Sequence, residues 1–325
     1  MILVTGAAGF IGFHVAQYLL ARGEQVVGVD CLNTYYDVKL KEARLAQLQG
    51  RNGFSFHRFD LCDRAAAEAF FASHSGLTGI IHLAAQAGVR HSLIDPYSYI
   101  DANVTGHLAI LEASRRLKAL KHMVYASSSS VYGGNDKMPF SVADRVDQPV
   151  SIYAATKLAD ELMTTTYSHL FGLPATGLRF FTVYGPWGRP DMSAFLFTEA
   201  ILAGKPIQVF NGGEMVRDFT YIDDIVTGVV AALDRPPVAT SSERPHRVYN
   251  LGNHRAVGLM DFIATIEKAC GRKAKIDFQP IQPGDVKATL SDIEATTRDL
   301  GYRPTIEIEV GVPNFVAWYR HYYGV

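Results

Sequence analysis

Residues 2–21, ILVTGAAGFIGFHVAQYLLA, run from a short apolar stretch through a glycine-spaced turn into an apolar helical stretch. Glycines 6, 9 and 12 keep a G-x-x-G-x-x-G spacing. Glycine adopts backbone angles that other residues avoid, so a strand can turn here directly into a helix. If strand and helix go on alternating in this way, a parallel sheet covered on both faces by helices is implied.

The rest of the first half repeats the pattern. Ile2–Thr5, Gln25–Asp30, Phe54–Phe59, Gly79–Leu83, His122–Ala126 and Pro174–Arg179 read as short apolar strands. Ile11–Ala21, Ala65–Ala72 and Asn103–Leu117 have helical length and period. No repeat of 20–50 residues is visible. Past residue 180, prolines 186, 190 and 206 and glycines 185, 188, 204, 212 and 213 cut the chain into shorter pieces. Pro236–Pro245, PPVATSSERP, reads as a loop. The stretch from about 218 to 252 contains a helix and a strand that look as though they rejoin the sheet.

The glycine turn also has a chemical meaning. Backbone N–H groups at such a turn approach a pyrophosphate closely, and the helix N-terminus adds partial positive charge. Asp30 stands at the end of the second strand, where a carboxylate bonds the adenosine ribose hydroxyls and repels a 2′-phosphate. NAD is therefore expected rather than NADP. The expected fold is a Rossmann-type doubly wound parallel sheet with a smaller, interleaved C-terminal α/β domain for substrate. Residues 1–180 would form the NAD-binding domain, joined by the returning segment at about 218–252. The remainder of 181–325 would bind substrate, and 325 residues suit such a pair of fused units.

Charge narrows the partners. There are 31 Lys and Arg against 32 Asp and Glu, a net charge of −1, so no general basic footprint for nucleic acid or anionic membrane exists. The three cysteines, Cys31, Cys62 and Cys270, show no CxxC spacing, which suggests thiols in a reducing compartment and neither a disulfide framework nor a metal site. With a strand expected from Ile2, no room is left for a leader. No apolar run approaches the ~20 residues of a membrane helix. The expectation is a cytoplasmic protein.

Tyr153 and Lys157, in YAATK, fall at i and i+4 and so share a helix face. An ammonium beside a phenol favours the phenolate, and the charge of a nicotinamide favours it further. A phenolate there can remove a proton from a sugar hydroxyl while hydride leaves the same carbon. Upstream, ASSSSVYG (126–133) places Ser127 to Ser130 at the end of an apolar strand with no acid among them. A polar turn would use the same serines.

Glycine turn, serine strand end and YxxxK, in this order, resemble the extended short-chain dehydrogenase/reductase family, whose members act on nucleotide sugars. HLAAQAGVR (82–90), RFFTVYGPWGRPDM (179–192), RDFTYIDDIV (217–226) and PGDV (283–286) extend the resemblance through nearly the whole chain. It implies NAD contacts at Gly6, Gly9, Phe10, Ile11, Gly12, Asp30, Asn33, Asp60 and Leu61. It adds Leu83, Ala84, Ala85, Gln86, Asn103, Ser127, Tyr153 and Lys157. It assigns catalysis to Tyr153, Lys157 and Ser128, with Ser128 touching the sugar O4. It implies tightly bound NAD and a homodimer built on two helices from each chain, about Asn103–Leu117 and Tyr153–Leu170.

Within the family, CLNTYYDVKLKEARL, AAQAGVRHS, SIYAATK and TVYGPWGRPDM look like the members that invert C4 of UDP-glucuronate to give UDP-galacturonate. The residues after Ser128 bear on that choice. Dehydratases of this family carry Asp-Glu there and the decarboxylating members a glutamate, whereas this chain has Ser129 and Ser130. Oxidation at C4 of a glucuronate yields a β-keto acid, which loses CO₂ when its carboxylate aligns with the carbonyl π system. Neutral donors from Ser129, Ser130 and Thr182 would hold the carboxylate out of that alignment, each at about 1.5–3 kcal/mol. Simple turn capping by Ser129 and Ser130 is the plain alternative. Arg189 is expected on the substrate side, Arg217 at the diphosphate and Asp285 at the uridine ribose. Val209 and Phe210 would line the uracil pocket or belong to a core strand. Galactose-type epimerases carry an arginine where this chain has Gln282, which leaves one diphosphate contact unassigned. Epimerisation of a neutral UDP-sugar, such as UDP-glucose, needs the same catalytic residues, and a non-catalytic NAD sensor would need fewer.

Overall fold

The computed structural model describes residues 1–240, 243–282 and 284–325. Ser241 and Ser242 of the expected loop and Pro283 of PGDV lie outside the described residues. The first six strands are β1 (Ile2–Thr5), β2 (Val26–Asp30), β3 (Phe54–Arg58), β4 (Gly79–His82), β5 (His122–Ser128) and β6 (Ala175–Phe180). Short strands β7 (Thr182–Tyr184), β8 (Pro206–Phe210), β9 (Val216–Arg217) and β10 (Phe219–Tyr221) precede β11 (His246–Leu251). Strands β12 (Val257–Gly258) and β13 (Lys275–Gln279) complete the set.

Seven strands form one sheet in the order β11-β6-β5-β4-β1-β2-β3, every pair parallel. Strands β1, β4 and β6 are buried along their whole length, as continuous apolar runs are when helices cover both faces. The strand order reverses between β1 and β4. That is where a doubly wound sheet opens a crevice beyond its carboxyl ends. Strand β11 extends the sheet past β6, so residues 246–251 share a layer with residues 2–180.

The helices are α1 (Phe10–Ala21), α2 (Val38–Gln49), α3 (Arg64–Ser73), α4 (Pro96–Tyr99), α5 (Gly106–Ser114) and α6 (Ile152–Phe171). They continue as α7 (Ser193–Leu202), α8 (Ile222–Leu233), α9 (Leu259–Cys270), α10 (Glu294–Leu300) and α11 (Ile308–Tyr323). Helix α6 begins where the Ser151 hydroxyl accepts from the Ala154 N–H at 3.1 Å, and ends at Gly172 in the left-handed region. Among the described residues, no helix is long and apolar enough to cross a membrane.

Three elements differ from the expectation. Strand β5 runs on to Ser128, so two of the four serines are strand residues and only Ser129 and Ser130 enter the following turn. The helix expected over 103–117 starts earlier, at Pro96 with Asp95 as its N-cap, and passes through a π-helical turn at Ile100–Thr105 before α5. Helix α2 lies in a stretch without apolar period, because its buried face includes Lys41 and Arg44.

Candidate functional site

Gly6 leaves β1 at φ +70°. A Cβ on Gly12 would lie 2.0 Å from the Gly6 carbonyl oxygen, and one on Gly6 would lie 2.8 Å from the Ala84 nitrogen. The turn therefore takes no side chain at either position. Helix α1 has no side-chain cap, which leaves its first N–H groups for an anion. Gly6, Gly9, Phe10, Ile11 and Gly12 line one end of a single cleft. At the end of β2, Asp30 joins them and accepts from the N–H groups of Ala8 (3.1 Å) and Leu32 (2.8 Å). Burial pushes its carboxyl up, and these bonds with Lys41 and Arg44 oppose the shift.

Asn33, Asp60 and Leu61 line the same end, and Leu83, Ala84, Ala85 and Gln86 form the floor beyond β4. Asn103 is not on the wall. It is buried in the π-helical turn, accepting from the Gln86 N–H at 2.8 Å and donating to the Gln86 carbonyl at 3.0 Å and Thr156 Oγ1 at 2.9 Å. It ties the floor to the first turn of α6. A π-turn at a functional position is a common use of that irregularity. The Gln86 side-chain nitrogen is buried without a protein partner among the described residues. A phosphate cradle closed to any Cβ, a ribose-end carboxylate and an orphaned amide together fit a dinucleotide.

Tyr153, Lys157, Ser127 and Ser128 line the other end of that cleft. The Lys157 ammonium sits 3.0 Å from Asp160 Oδ2, one turn further along α6. Ser127 donates to Glu161 at 2.5 Å, and Glu161 is held by Arg179 through two bonds of 2.9 and 2.8 Å. The Ser128 oxygen accepts from the Ser130 N–H at 3.2 Å and lies 3.1 Å from the Ser130 hydroxyl. Turn capping is thus carried out by Ser128. Ser129, Ser130 and Thr182 are half-buried beside the cleft and outside its lining.

The substrate-side residues separate into two groups. Arg189 lines the cleft and makes a two-pronged pair with Asp191 at 3.0 and 2.5 Å, while the Tyr35 hydroxyl donates to the same carboxylate at 3.0 Å. Phe210, Arg217 and Asp285 stand in a second place, around Arg90. The Arg90 guanidinium is 2.7 Å from Asp285 and 4.4 Å from the Phe210 ring centre. Arg217 feels the charges of both Asp285 and Arg90, and donates to the carbonyls of Val216 and Lys287. Val209 is fully buried in the core, so β8 offers a ligand the Phe210 ring and no side-chain surface from Val209.

Sequence reasoning missed four polar residues here. Arg90 lay inside a quoted motif, but nothing in its spacing singled it out. Lys41 lines the cleft and donates to the Asn33 carbonyl and side-chain oxygens, both at 2.6 Å. Arg44 is wholly buried, with no carboxylate partner among the described residues. It donates to the carbonyls of Ala8 (3.0 Å), Trp187 (2.6 Å) and Gly188 (3.1 Å) and to the Tyr36 hydroxyl (2.8 Å). The glycine turn is thereby strapped to the loop that carries Arg189. The fourth is Asp160. Among the described residues no cluster of three or more His, Cys, Asp or Glu side chains is placed to hold a metal.

Known proteins match this arrangement along the whole chain. Residues 2–252 match the NAD dependent epimerase/dehydratase family, and the chain belongs to that family. It is 47% identical to a probable UDP-glucuronate 4-epimerase of Rhizobium meliloti over 99% of this chain and 97% of that one. The crystal structure of UDP-glucuronic acid 4-epimerase from Bacillus cereus, in complex with UDP-glucuronic acid and NAD, superposes with a TM-score of 0.88 at 35% identity, covering 99% of each chain. A UDP-glucose 4-epimerase from Thermotoga maritima, crystallised with UDP-glucose, superposes with the same TM-score of 0.88 at 29% identity, again covering 99% of each chain. The backbone therefore does not separate the acidic sugar from the neutral one, and the choice falls to side chains.

Proposed function

We propose that the protein interconverts UDP-glucuronate and UDP-galacturonate at C4, with NAD held permanently and regenerated in each turnover. The observation that carries this reading is a single cleft. It runs from the Gly6–Gly12 cradle and Asp30 to Ser128, Tyr153 and Lys157, and positions 129 and 130 beyond Ser128 carry hydroxyls rather than acids.

Bound NAD supplies the acceptor and later the donor of the C4 hydride. The glycine turn would hold its pyrophosphate, Asp30 and Asn33 its adenosine ribose, and Lys157 its nicotinamide ribose. Tyr153 takes the O4 proton in the oxidation and returns it in the reduction, and Ser128 donates to O4. Between the two steps the 4-keto sugar turns about its phosphate linkage and presents its other face. Ser129, Ser130 and Thr182 restrain the C6 carboxylate meanwhile, and the absence of an acid there opposes elimination. Phe210, Arg217 and Asp285 receive the UDP portion.

The surface fits a homodimer. Tyr97, Ile100 and Leu108 on the helical stretch 96–114, and Leu162, Leu170 and Phe171 on α6, are large apolar side chains left exposed in the single chain. Paired with a second copy they would form a four-helix contact that removes this patch from water. Residence in the cytoplasm goes with this reading, since Cys31, Cys62 and Cys270 are free thiols, as suits a reducing compartment.

Purified protein incubated with UDP-glucuronate and no added NAD should form UDP-galacturonate without pentose, followed by proton NMR. Turnover of UDP-glucose alone would replace the acidic sugar with the neutral one. Turnover of neither, with NAD added, would remove the epimerase reading.

A further inference from the structure

Lys157 and Asp160 form a buried pair with side-chain exposures of 4% and 1%. One carboxylate oxygen accepts from the ammonium, and the other, Oδ1, is buried with no partner among the described residues. A half-satisfied buried carboxylate destabilises a fold, and apolar replacement of such pairs is often neutral or stabilising. Burial pushes the Asp160 carboxyl up to about 6, while Lys157 pulls it down. Its 3.0 Å bond to the Lys157 ammonium favours the ionised form. Local rules broken in this way concentrate at functional positions.

The groups around the pair leave its charges uncancelled. His82 on β4 and His107 on α5 have their imidazoles held neutral by burial. The Tyr125 phenol on β5 is pushed up by burial and is neutral too. Glu161, next on α6, is matched by Arg179 of β6, and His246 of β11 is lowered to about 4 by burial. On the cleft side, Arg189 faces Tyr153. Among the described residues Asp160 is then the one carboxylate bonded to the ammonium next to the reacting tyrosine.

We propose that Asp160 is a positioning residue: its carboxylate fixes the Lys157 ammonium on the inner side of α6 and offsets part of the positive field that Tyr153 receives. The inference rests on the epimerase reading given above. Two functions of Lys157 then depend on Asp160. The ammonium keeps its place in a dry site because a counter-charge sits 3.0 Å from it. The field that reaches Tyr153 is that of the ammonium less what the neighbouring carboxylate offsets.

The test is the pH profile of kcat for the NAD-loaded enzyme with UDP-glucuronate, wild type against Asp160→Asn. Asparagine keeps an acceptor for Lys157 and removes the charge. Both limbs of the bell should move to lower pH by about 0.5–1 unit, with KM changed less than about twofold. The acid limb moves because the phenolate is more favoured, the alkaline limb because the ammonium loses its counter-charge. Limbs that stay in place in a folded Asp160→Asn enzyme, whatever its kcat, overturn the proposal. Should Asp160→Asn not fold, Asp160→Glu decides, since it keeps the charge and displaces it by one methylene. Unmoved limbs with kcat at least fivefold lower are expected, and full activity overturns the positioning. If the wild type acts on UDP-glucose and not UDP-glucuronate, the same profiles are recorded with that sugar, so a wrong substrate and a wrong role for Asp160 give different results. Wild-type protein inert towards both sugars would overturn both readings.

Discussion

Arg90 and Asp285 stand 195 residues apart in the chain and 2.7 Å apart in space, with the guanidinium lying 4.4 Å from the ring centre of Phe210. The contact joins the loop after β4 to the segment after β13 and brings an arginine to the segment where Gln282 offers none. A planar guanidinium on an aromatic ring, half in solvent, suits a diphosphate that arrives and leaves with each turnover.

Arg90→Ala should therefore raise KM for the UDP-sugar by about 10- to 100-fold, the equivalent of one charge-assisted contact, with kcat changed far less. Initial rates across sugar concentrations measure it. An unchanged KM would place the nucleotide away from Phe210 and Asp285.

Tyr153 shares the cleft with Lys157 and Ser128. Tyr153→Phe should lower kcat by at least about 10³-fold while bound NAD, read from the absorbance of the purified protein, stays near wild type. Near-normal turnover would move the proton to another group.

What the sequence disclosed and what it hid follow from the range of the interactions. Gly6 to Gly12, Asp30 and the Tyr153–Lys157 pair are legible because each depends on spacing within one turn or one strand end, which the helical and strand periods dictate. Arg44 was not, because its meaning lies in carbonyl groups 36, 143 and 144 residues away. Lys41 and Arg44 also hide α2 itself, since charged residues on a buried face erase the apolar period that marks a helix. Asp160 stood one turn from Lys157 in plain view. Only the burial of both side chains distinguishes it from an ordinary surface i,i+3 pair.

Ser129 and Ser130 are half-buried in the turn after β5, and neither supplies the cap that holds it, since that acceptor is the Ser128 oxygen. Among the described residues the Ser130 hydroxyl bonds only its neighbour Ser128, at 3.1 Å, so loss of both hydroxyls should cost the fold little. Replacing both with Ala should leave the melting temperature within a few degrees and increase pentose formed per UDP-galacturonate by roughly tenfold or more, at about 1.5–3 kcal/mol per lost contact. Product analysis by NMR decides it, and unchanged product purity would assign the restraint to other groups.

His122 opens β5, its ring nitrogens 3.0 Å from the Leu233 carbonyl and 2.9 Å from Thr176 Oγ1. Burial lowers it from 6.5 to about 4. A folded value below the unfolded one means the neutral imidazole contributes stability that is fully present above pH 6.5 and is lost as pH falls towards 4. The interval is worth ~3 kcal/mol at about 1.36 kcal/mol per unit. His14 and His246, also lowered to about 4 by burial, act in the same direction. The melting temperature should fall steeply between pH 6.5 and 4. His122→Gln, which keeps a donor and an acceptor but cannot charge, should be less stable at pH 7.5 and show a shallower fall on acidification. Parallel wild-type and variant curves would mean that His122 takes no part in the acid transition.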